Sequence, residues 1–127
     1  MTVVDVFDGA CGFHTRITAR REDAATVHLS VSGDCEAATR WAQRIKQVNW
    51  RQCLGKDFPQ SELWQSSMKM LRHRSCPLPM TALRAIEAEV GATKPADIRI
   101  HFFSAKELAD LDMSPKTEID SLPRTNE

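Results

Sequence analysis

Three short runs between residues 2 and 32 carry strand-type residues, and directly after them the apolar spacing switches to that of a helix. This switch constrains the fold more than any other feature. "TVVDVF", residues 2–7, is rich in β-branched and aromatic residues. From Phe13 the pattern alternates, so Phe13, Thr15, Ile17 and Ala19 share one face. In "TVHLSVS", residues 26–32, Val27, Leu29 and Val31 do the same. Side chains in a strand point to opposite faces in turn, so one covered face gives this alternation. The connections, "DGACG" and "RREDAA", are short and polar. Strands this close in sequence form an antiparallel meander.

In "SGDCEAATRWAQRIKQV", Ala38, Trp41, Ala42 and Ile45 fall at i, i+3, i+4 and i+7, a helical stripe. Asp34 is a natural N-cap for this helix. Residues 49–60 contain Gly55 and Pro59 and read as irregular. Ser61 caps a second helix, to about Leu71, with Trp64, Met68 and Leu71 on one face. Trp41, Trp64, Met68 and Met70 read as core. A third helix starts near Cys76 and carries Leu83, Ile86 and Val90, with Gly91 as its stop. Beyond Pro95, Ile98, Ile100 and Phe102 alternate, predicting a further strand over 98–103. The expectation is therefore an α+β fold. Its three-stranded antiparallel sheet is packed by about three helices, with an extra C-terminal strand. Residues 1–104 form the domain, and 105–127 are a short helix and a mobile polar tail.

With 127 residues, this chain is long enough for one real core. Seventeen basic residues balance seventeen acidic ones, which disfavours nucleic-acid and membrane-surface partners. No run approaches the roughly 20 apolar residues of a membrane span. The start has no signal-peptide pattern, so a soluble cytoplasmic protein is expected. In that compartment four cysteines point to metal, redox or buried thiols before disulfides.

Three of the four cysteines fall at element ends. Cys11 is in the turn after the first strand, Cys35 is between the third strand and the first helix, and Cys76 opens the third helix. A helix N-terminus offers free N–H groups and the positive end of the dipole, which lower a thiol's pKa. Pro77 and Pro79 suit a first helical turn. Three thiolates and one nitrogen or oxygen complete a zinc site or one side of an iron–sulfur cluster. His73, three residues before Cys76, and Asp34, beside Cys35, are the candidates for the fourth ligand. His14 turns to the other face of its strand by alternation. Cys53, in the irregular segment, reads as a buried, inert thiol. His28 and His101 read as structural or surface residues. No glycine-rich phosphate loop or nucleophile elbow is present, so an enzyme of those types is not expected.

These features resemble the U-type iron–sulfur cluster scaffolds, the IscU family and the N-terminal domain of NifU. The resemblance lies in "ACG" after a strand, "SGDCEAATRWAQ" leading into a helix and "HRSCPLPMTALRAIEAEV" opening another. Spacings of 24 and 41 residues between the cysteines are also similar. It spans roughly residues 3–91 and implies cluster assembly, storage or delivery, with a cysteine desulfurase or a cluster acceptor as partner. Where the family has an aspartate two residues after the first cysteine, this chain has Phe13. Where the family's histidine abuts the third cysteine, Ser75 stands, with His73 two residues further back. "CPLP" also looks like the motif of TusA-like sulfur carriers, although there it follows the first strand. Two alternatives therefore stand beside the cluster reading. One is a sulfur relay in which Cys76 carries a persulfide, and the other is an interaction domain with incidental thiols. The oligomeric state is open.

Overall fold

The computed structural model describes residues 1–111. It is α+β, with antiparallel strands in the order β1 (Thr2–Asp8), β2 (Phe13–Arg21), β3 (Thr26–Gly33) and β4 (Gln47–Asn49). Among the described residues the helices are α1 (Glu36–Arg44), α2 (Trp50–Cys53), α3 (Glu62–Met70), α4 (Leu78–Glu89) and α5 (Ala105–Ala109). The first three strands and the helical stripe of α1 are where the sequence places them. Ile17, Ala19, Val27 and Leu29 are buried on the covered face, and Ala38, Trp41, Ala42 and Ile45 are buried from α1. Helix α4 lies on β1 and β2, and α1 lies on β3.

Four expectations are corrected. The first helix does not run on to Val48. It ends at Arg44, and Gln47–Asn49 pairs with His28–Thr26, so β4 is the fourth strand of the sheet. Ladder hydrogen bonds and the burial of Val48 override a weak helical pattern here. Asn49 then caps α2, its side chain accepting from the Arg51 and Gln52 N–H groups, so 49–60 is less irregular than it reads. In α3 the buried face is Leu63, Ser66 and Ser67, while Met68 is 60% exposed and not in the core. The two serines allow close approach to α1, and the Trp41 Nε1–H donates to Ser66 Oγ at 3.1 Å. Finally, residues 98–103 form no strand. Alternation supplies the side chains of a strand, but a strand also needs a ladder partner for its backbone groups.

Helix α4 ends as its sequence signals. Gly91 has φ of +80°, its N–H donates to the Ala88 carbonyl at 3.2 Å, and the Ala92 N–H donates to Glu87 at 2.8 Å. In the last turn, the Glu89 carboxylate accepts from the Thr2 hydroxyl and the Arg21 N–H, each at 2.9 Å. This ties the helix to β1 and β2. Burial alone pushes the Glu89 carboxyl up, but the Arg21 N–H, the Thr2 hydroxyl and the Met1 amine together outweigh it and hold the carboxyl below its ordinary range. A carboxyl depressed on folding adds stability above its unfolded pKa, and loses that contribution as pH falls through the folded value. Glu89→Gln is therefore expected to cost about 1–2 kcal/mol at neutral pH. In urea titrations the gap to wild type should close below about pH 4. A gap independent of pH would show that Glu89 acts through packing alone.

The described chain divides into Met1–Ala96 and a second unit that begins at Asp97. Within the second unit α5 has a capping box. Ser104 Oγ accepts from the Glu107 N–H at 3.1 Å, and Glu107 accepts from the Ser104 N–H at 2.8 Å. The short helix is thus as expected. The expected polar tail beyond it falls, from residue 112, outside the described residues.

Candidate metal centre

Asp8 organises the turn that carries Cys11. Its carboxylate accepts from the Ala10 N–H at 2.9 Å, and its carbonyl accepts from the Gly12 N–H at 2.7 Å. The Cys11 thiol also donates to that carbonyl, at 3.7 Å. The turn closes because Gly12 adopts φ of +76°. Cys35, not Asp34, is the N-cap residue of α1, with extended φ/ψ and no side-chain capping bond. Its carbonyl accepts from the Thr39 N–H and hydroxyl. Gly33, two residues before it, lies so close to β2 that a Cβ would overlap the His14 carbonyl. This close approach fixes where the chain leaves the sheet for Cys35.

Cys76 follows a turn closed by its own N–H to the His73 carbonyl at 3.2 Å. That turn brings the two backbones together, and both residues line the same cavity, His73 with its ligand atoms near Asp8 and Cys11. Pro77 is the N-cap residue of α4 and Pro79 lies in its first turn, as the sequence suggests.

These pieces meet. Cys11, Cys35 and Cys76 line one cavity of about 210 Å³ with Asp8 and His73. The remaining walls are largely apolar, among them Val6, Phe13, Leu71 and Leu78. Ligand atoms of Asp8, Cys11 and His73 lie within 4.8 Å of one another. Tetrahedral zinc holds such atoms about 3.3–3.8 Å apart, so this group is looser than a zinc site, and the sulfurs of Cys35 and Cys76 are not part of it. Cys11 is exposed, whereas Cys35 and Cys76 are half-buried.

Asp34 is not among these residues. It is exposed and lines a separate groove with Asp5, His14 and Arg16. The carboxylate at the cavity is Asp8, which sequence reasoning missed. The signal was present: Asp8 continues the alternate positions of Val4 and Val6, which face inward from β1. His14 faces away, its ring 4.6 Å from Phe7. Cys53 is buried in the core and burial pushes its thiol up to about 11.

The Cys76 thiol departs from expectation. The Leu78 N–H at the start of α4 favours the thiolate. Burial nevertheless dominates and pushes the thiol up, and negative charge on Cys35, Asp8 and Cys11 pushes it further. Groups that penalise each other's negative charge in a half-buried cavity favour a cation among them.

Comparison with curated proteins and with solved structures returns no match. One family model, described as a family of unknown function (DUF6951), matches residues 2–102 and so takes in the whole cavity. The chain belongs to the DUF6951 family.

Proposed function

We propose that this cavity binds a thiophilic metal, either zinc or an iron–sulfur cluster, in an assembly, storage or delivery role without turnover of a small molecule. The observation that carries this reading is the convergence of Cys11, Cys35 and Cys76 with Asp8 and His73 on one cavity. Sulfur donors select zinc and iron–sulfur clusters over hard cations. Imidazole and carboxylate complete such donor sets. The apolar walls keep water from the thiolates, and the exposed Cys11 side leaves an entry path. The resemblance to IscU-type scaffolds adds a partner of the cysteine desulfurase or cluster acceptor type. Unpaired thiols fit action in the reducing cytoplasm. Among the described residues no helix is long and apolar enough to cross a membrane.

A sulfur relay through Cys76 alone fits less well. Attack on a sulfane sulfur needs thiolate, and burial raises this thiol's pKa, which lowers its thiolate fraction. The reading is tested by metal and acid-labile sulfide content on protein purified without oxygen, with an absorption spectrum. Bound zinc or iron with sulfide is expected in wild type and in Cys53→Ser. Metal-free, colourless protein even after reconstitution would overturn the reading. If it still took up a sulfane-sulfur adduct that Cys76→Ser lost, the relay would replace it.

A further inference from the structure

Residues 97–103, "DIRIHFF", have the side chains of a strand and no strand partner among the described residues. None of these residues takes part in a backbone–backbone hydrogen bond among the described residues. Ile100 is 76% exposed and Phe102 is 93% exposed. Ile98 and Phe103 are also exposed. A cluster of bare apolar side chains beside unpaired backbone marks an interaction surface. The family match runs through residue 102, past the end of the first unit at Ala96, and so takes in residues 97–102.

The sheet has one long open edge. β1 pairs only with β2, and the opposite edge, β4, has three residues. β1 has seven residues, Thr2–Asp8, a length that matches the segment. Its inward Val4 and Val6 are only partly covered, and its outward face bears Val3, Asp5 and Phe7. The segment has Ile98, Ile100 and Phe102 on one side and Arg99, His101 and Phe103 on the other. Laid antiparallel with His101 opposite Asp5, it sets Phe103 against Val3 and Arg99 against the Phe7 ring. Its aliphatic side then extends the covered face beyond Val4 and Val6. Such cross-strand pairs stabilise a sheet, and strand addition supplies the missing backbone partners.

We propose that residues 98–103 of one copy of this chain pair with the β1 edge of a second copy, reciprocally, to form a two-fold dimer. Both halves of the contact are present in every chain, as a closed two-fold interface requires. Each copy thereby completes the six-residue strand that its own sheet lacks.

The test is sedimentation of the full chain from low micromolar to near-millimolar protein, with hydrogen exchange at the upper end. Wild type is expected to reach twice the monomer mass, with protected amides in 98–103 and along the outer edge of β1. His101→Pro removes a ladder donor, because Asp5 turns its backbone groups to the open edge, and should leave a monomer with an unchanged circular dichroism spectrum and loss of that protection. If the proline variant is misfolded, Phe102→Asp is judged in its place. A monomer at all concentrations overturns the proposal. A dimer whose 98–103 amides exchange freely overturns it too, as does protection of that segment in the dilute monomer.

Discussion

Trp41→Ala is expected to lower the unfolding free energy by about 3–5 kcal/mol, the usual cost of emptying a buried aromatic site. Trp41 is fully buried, and it joins the sheet side of the core to α3. Its Nε1–H donates to Ser66 Oγ at 3.1 Å. Ser66 still donates to the Glu62 carbonyl when the indole is gone, so most of the loss is cavity and apolar area, not an orphaned hydroxyl. A domain of ordinary stability has about 5–15 kcal/mol in total, so this variant stands near the edge of folding. Urea titration followed by circular dichroism reads the change. Met68→Ala is the control: Met68 is 60% exposed, and its loss should cost less than about 0.5 kcal/mol. Equal losses for the two would mean that α3 turns the face its sequence periodicity suggests. Trp41 also anchors the helix whose N-cap is Cys35, so a loosened core disturbs the cavity through α1.

Where one face of an element meets the core, its residues can be read directly. Phe13, Thr15, Ile17 and Ala19 alternate because β2 has α4 on one side, and they are covered as the alternation implies. The same holds for β3 and for the stripe of α1. The three cysteines were legible as a set because chain turns collect at one end of a small meander, and all three lie at such turns. Two kinds of information were not local. Val48 joins a sheet because Val27 is there to pair with it, and nothing within residues 45–49 says so. The face of α3 depends on which side α1 approaches, and two serines fit that side better than two methionines. The fourth ligand was misplaced for a related reason. Asp34 is close to Cys35 along the chain, but the N-cap position turns the two apart. Asp8 is far from Cys35 and Cys76 in sequence, yet the inward face of β1 brings it to them. The expected thiolate at Cys76 failed on a balance of two real effects, because burial outweighs one N–H bond.

Substitution of the cavity donors is expected to give the largest effects of all, and to rank them. With zinc as the probe and a chromophoric chelator as competitor, Cys11→Ser, Cys35→Ser and Cys76→Ser should each weaken binding. The loss should exceed the 10–100-fold that follows removal of a mere outer-shell partner. Cys53→Ser should leave affinity unchanged, since that thiol is buried in the core and does not line the cavity. The two aspartates discriminate between sequence proximity and folded geometry. Asp8→Asn keeps the size and the bond from the Ala10 N–H but removes the charge, so at least a tenfold loss is expected if its carboxylate faces the metal. Asp34→Asn should change affinity by less than about twofold, because that residue lines the separate groove. His73→Ala removes the imidazole grouped with Asp8 and Cys11 and should fall with Asp8→Asn. The opposite order, with Asp34→Asn weak and Asp8→Asn unaffected, would place the metal on the α1 side and reject the donor set drawn here. Equal, small losses for all three cysteine variants would mean that zinc binds elsewhere, and the cavity would then be an apolar pocket whose thiols only line its wall.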